Sequence, residues 1–100
     1  MKKISYGEFI ATQTENIEDA SFIGVSVFYN GIPVTQFGGE PCAMYTDEVG
    51  YTIEFADDSS VIIPANSGIE VFDEEETELN IDMEYGVKYN DLYIFLSLPF

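Results

Sequence analysis

One hundred residues with 46% hydrophobic and 15% aromatic side chains suffice for one globular domain, 1–100, with a modest core, and are too few for two. Three Lys against nineteen Asp and Glu leave a net charge of −16, which argues against direct binding to nucleic acid or an anionic membrane, whose charge has the same sign. An acidic chain poor in apolar residues would be disordered, but here Phe, Tyr, Ile and Val are plentiful and periodic, so the chain should fold.

Taken in order, Ser5-Tyr6-Gly7-Glu8 has the spacing of a capping box, and Ile4 and Phe9 are placed as a hydrophobic staple. A short helix is expected to begin at Tyr6 and to cover one face of a sheet. Gly7 and Thr12-Gln13-Thr14 are poor helix formers, so Glu15 to Asp19 reads as a polar connection or a second short turn. Phe22 to Tyr29 and Ile32 to Phe37 flank Asn30-Gly31, the strongest short hairpin signal. Pro33 has no amide hydrogen and puts the second arm at or near a sheet edge. Gly38-Gly39-Glu40-Pro41 is expected to break that ladder, with another short strand from Cys42 to Thr46.

Tyr51 to Ala56 alternates, with Tyr51, Ile53 and Phe55 on one side. Asp57-Asp58-Ser59-Ser60 is a turn, and Val61 to Pro64 returns as the partner strand. Asn66-Ser67-Gly68, Tyr85-Gly86 and Asn90-Asp91 are further turn candidates. Leu92 to Leu98 is apolar on both faces, the mark of a central strand. The fold class is therefore α+β, mainly β: an antiparallel sheet or half-open barrel of about six to eight short strands with one short N-terminal helix.

Glu70 to Glu84 carries eight carboxylates and no Lys or Arg. From Thr77 the pattern alternates, so Glu78, Asn80, Asp82 and Glu84 would share one face of a strand, with successive side chains about 6.6 Å apart along it. Two carboxylates about 7 Å apart in water repel by about 0.6 kcal/mol, a burden for a domain stabilised by roughly 5–15 kcal/mol. Solubility needs far less charge than this, which points to a functional demand. The expected partner contacts are Glu70, Asp73, Glu74, Glu75, Glu76, Glu78, Asp82 and Glu84, with Asp57 and Asp58, and Glu48 and Glu54 extending the surface. Tyr29, Tyr45, Tyr85 and Tyr89 are candidate aromatic anchors, although tyrosines in small sheets are more often half-buried core.

Catalysis finds little support, and no enzyme is expected. There is no His, which removes the usual general base and commonest metal ligand, and the single Cys42 has no His to activate it. Neither Asp57-Asp58-Ser59-Ser60 nor Asp73-Glu74-Glu75-Glu76 has the spacing of a calcium loop, so no cofactor and no metal are expected. No apolar run has the length of a membrane span, the N-terminal residues lack the apolar core of a signal peptide, and one cysteine agrees with a reducing compartment. A cytoplasmic protein is expected.

In size, charge and lack of catalytic equipment the chain resembles the small acidic nucleic-acid mimics of phages and mobile elements, the anti-restriction and anti-CRISPR proteins. The resemblance implies an inhibitor that blocks the basic groove of a host nuclease or CRISPR effector. Alternatives are an immunity protein neutralising a basic nuclease toxin, a small structural or accessory phage protein, or, less favoured, a Ca²⁺-binding module.

Overall fold

The computed structural model describes residues 1–73 and 83–98. A short strand, β1 (Lys2–Ser5), runs straight into a helix, α1 (Tyr6–Thr12), and the junction is made by Ser5, whose Oγ accepts the Glu8 backbone N–H at 3.1 Å. That bond satisfies one of the donors a helix start leaves open. The staple residues Ile4 and Phe9 are both buried. Where a polar connection or turn is expected, the chain forms a second short helix, α2 (Thr14–Glu18), with Ile17 fully buried.

Among the described residues eight further strands follow: β2 (Ile23–Tyr29), β3 (Ile32–Gly39), β4 (Pro41–Thr46), β5 (Gly50–Phe55), β6 (Ser60–Pro64), β7 (Gly68–Asp73), β8 (Met83–Tyr89) and β9 (Leu92–Leu98). With β1 they make a six-stranded sheet in the order β1-β7-β8-β9-β2-β3 and a three-stranded sheet β4-β5-β6. Every pairing is antiparallel. The larger sheet ends in β1 and β3 and does not close on itself.

The hairpin at Asn30-Gly31 forms as expected, with φ of 50° and 76° at its two turn residues. Positive φ at both is what the primed two-residue turn demands. Pro33 lies on β3, which is an edge strand. Gly38 and Gly39 do not break the ladder, because they pair with Gly24 and Ile23, and the strand ends at Gly39, just before Glu40. Tyr85-Gly86 is no turn either. Both residues sit inside β8, paired with Val71 and Glu70 on one side and with Leu96 and Phe95 on the other. The turn between β8 and β9 is Asn90-Asp91, with Asn90 at φ 53°.

Alternation sorts the six-stranded sheet into two faces. The inner face carries Ile4, Ile69, Val71, Tyr85, Val87, Ile94, Leu96, Val25 and Ile23, all buried. Two bodies cover it. The helix pair lies against β1, β7 and β8, where Phe9 meets Tyr85 edge-on at 5.6 Å. The small sheet turns Tyr51, Ile53 and Phe55 toward the same core, with Phe55 perpendicular to Phe37 of β3 at 5.8 Å. Phe9 also meets Tyr51 at 6.1 Å, so one helical ring joins both sheets. Full burial of one such side chain contributes about 2–3 kcal/mol.

Candidate functional site

Glu74, Glu75, Glu76, Glu78 and Asp82, with the alternating strand expected from Thr77, lie outside the described residues. Asp73 closes β7 opposite Met83. The structure does place Glu70, Glu84, Asp57 and Asp58. Glu70 is not an exposed contact: it is 7% exposed, with its carboxylate 3.3 Å from Lys88 Nζ. Its cross-strand neighbour on β1 is Lys3, so two of the three lysines stand around this one acid. Glu84 is half-buried on the outer face, opposite Phe72 of β7 and Ser97 of β9.

Asp57 and Asp58 belong to the other sheet, at the exposed tip of the β5–β6 hairpin. Asp57 Oδ1 accepts both the Ser59 hydroxyl and the Ser59 backbone N–H, the latter at 3.0 Å. These two bonds, the hydroxyl first, hold its carboxyl below the usual range. Asp58 takes φ 71°, the left-handed position an Asp tolerates. Turn chemistry accounts for both residues.

A second group of acids follows from the fold. Glu15, Glu18 and Asp19 are exposed on α2 and its end, and Asp47 and Glu48 are exposed in the β4–β5 turn. The two segments border the same core: burial, then Asp47, raise the Tyr6 phenol on α1, while burial, then Glu18, push Tyr51 on β5 up to about 12. Glu48 is among the acids expected to extend the surface; the α2 acids are hidden within a stretch that reads as a polar connector. Glu54, the other expected extension, is half-buried and accepts the Tyr45 hydroxyl at 3.3 Å. Of the candidate aromatic anchors, Tyr85 is fully buried, whereas Tyr29, Tyr45 and Tyr89 are exposed.

The outer face of the large sheet carries an aromatic surface that the sequence shows only as an apolar run. Phe28, Phe72, Tyr93 and Phe95 point outward and are half-buried, and Phe22, whose ring lies over Gly24 and Gly38, is 46% exposed. The rings pair as Phe72–Phe95 at 6.1 Å and Phe28–Tyr93 at 6.2 Å. Tyr93 lies across Gly86, whose missing side chain leaves the room. Lys88 Nζ sits 6.0 Å from the centre of the Tyr93 ring. Burial, then Glu70 and Glu84, raise the Tyr93 phenol above its ordinary value.

A cavity of about 410 Å³ is lined by Met1, Lys2, Gln13, Asn16, Val71 and Met83, from β1 and the residue before it, the helix pair and strands β7 and β8. Cys42 is an exposed thiol. Among the described residues no three Asp, Glu or Cys side chains come together as a metal-binding group. No described helix is long and apolar enough to cross a membrane. No family model, curated protein or solved structure matches this chain.

Proposed function

We propose that this domain is a non-catalytic inhibitor that presents carboxylates to a basic nucleic-acid-binding protein, such as a restriction nuclease or a CRISPR effector, and occupies the groove that would hold DNA or RNA. The observation that carries this reading is the charge of −16 on a chain with three lysines. Two of those lysines are placed around Glu70, so they neutralise little of the remaining surface. Arg and Lys in a nucleic-acid groove accept carboxylates with geometry close to that for phosphate. Glu74, Glu75 and Glu76, together with the acids of α2 and the β4–β5 turn, are the segments assigned to such contacts. The site of action is the cytoplasm, in keeping with an unpaired, exposed Cys42.

The test is cleavage of DNA or RNA by purified defence nucleases with and without the domain. Inhibition that weakens as salt rises, and that is lost when Glu74, Glu75 and Glu76 are all changed to Lys, supports the reading. Inhibition by the reversed variant, or no salt-sensitive association with any basic nucleic-acid enzyme, overturns it.

A further inference from the structure

We infer that the outer face of the six-stranded sheet is a docking surface for arginine side chains of a cationic protein segment, with Phe72 and Phe95 as the stacking platform and Glu84 as the neighbouring carboxylate. The inference rests on the cationic partner proposed above and names the surface that would receive it. Phe72 and Glu84 are directly paired across β7 and β8, and the Phe95 ring lies 6.1 Å from that of Phe72. All three residues are partly exposed. The chain already uses this recipe once: Lys88 is placed over the Tyr93 ring at 6.0 Å while Glu70 holds its ammonium at 3.3 Å. Ring plus carboxylate is thus a cation seat on this face, and Phe72, Phe95 and Glu84 repeat its components farther along β8.

Charge decides the occupant. A second copy would bring −16 against −16, and nucleic-acid bases that could stack on the rings arrive with phosphates of the same sign. A cationic segment is attracted by the whole domain and by the ring faces together. Arginine suits the site better than lysine, because its guanidinium is planar, weakly hydrated and able to stack while bonding a carboxylate in bidentate fashion.

The experiment titrates the intact domain with an arginine homopeptide and a lysine homopeptide of equal length at low salt, following backbone amide shifts and affinity. The arginine peptide should bind about fivefold tighter and shift the amides of Phe72, Glu84 and Phe95. The double substitution Phe72→Leu and Phe95→Leu should erase that preference and leave the lysine peptide's affinity unchanged. Shift mapping on the unaltered protein does not depend on whether the double variant folds. Equal affinities with shifts confined to α2 and the β4–β5 turn would overturn the aromatic site and leave the cationic-partner reading standing. Failure of both peptides to bind would remove both. Shifts of the same amides by a neutral cello-oligosaccharide, with no preference for arginine, would assign the face to sugar and overturn the inference.

Discussion

Lys88 Nζ stands 3.3 Å from Glu70 Oε1, joining an exposed ammonium to one of the most buried carboxylates of the fold. The lysine is exposed enough for water to screen it, but the glutamate is not, and the two sides of the pair carry different consequences. Replacing Lys88 by Met should cost about 1–2 kcal/mol, because Glu70 then keeps its charge in a poorly hydrated place. Replacing Glu70 by Gln in that background should recover part of the loss. Urea unfolding of the four proteins of this cycle measures the coupling, and additive effects would show that the pair contributes nothing.

Tyr85 ties the helices to the sheet. Its hydroxyl donates to Gln13 Oε1 at 2.9 Å and accepts from Asn16 Nδ2 at 3.1 Å, over 72 and 69 positions of sequence. Tyr85→Phe should destabilise the domain by about 1–2 kcal/mol, since both amide groups lose a partner in a part-buried place. The change should also raise hydrogen exchange in α2 relative to β9. An unchanged unfolding midpoint would refute it.

A methyl group on Gly86 would collide with the Tyr93 hydroxyl and ring. Gly86→Ala should therefore cost about 1–3 kcal/mol as Tyr93 is pushed off its position. Tyr93→Ala made together with Gly86→Ala should cost less than the sum of the two single changes. Near-ultraviolet dichroism would report the displaced tyrosine, and strict additivity would count against the contact.

Tyr51 is 3% exposed and its hydroxyl has no hydrogen-bond partner among the described residues. Its pKa is pushed up to about 12, first by burial and then by the Glu18 charge. Below pH 10 the phenol is neutral in both folded and unfolded chains, so its contribution is intact. Between pH 10 and 12 only the unfolded chain ionises, and stability should fall by on the order of 2 kcal/mol. Tyr51→Phe should abolish that part of the alkaline loss and, by removing an unpaired hydroxyl, stabilise the domain at neutral pH by about 1 kcal/mol. A fluorescence-monitored melt from pH 8 to 12 compares the two proteins.

Much of the fold is legible in local pattern. Ser5 through Phe9 specifies its own helix start, Asn30-Gly31 its own turn, and Tyr51, Ile53 and Phe55 their common burial, because each depends on neighbours within a few positions. What is not legible depends on register. Gly86 resembles a turn residue until β9 places Tyr93 over it, and Glu70 resembles the acids that follow it until β1 and β8 bring Lys3 and Lys88 to either side. Likewise, the apolar run of β9 predicts a central strand correctly, yet Tyr93 and Phe95 lie on a face left half open, and nothing in the run distinguishes a covered ring from a waiting one.

Among the described strands β9 leaves the ribosome after all the others of its sheet, and it stands in the middle of that sheet, between β8 and β2. Until it emerges, the β2–β3 ribbon has a naked inner edge and the β7–β8 ribbon has no route to it. A nascent chain in that condition is an invitation to pair with its neighbours on the same message. Mutual repulsion between such unfinished copies, each already bearing the carboxylates that precede β9, keeps them apart during the interval before β9 inserts.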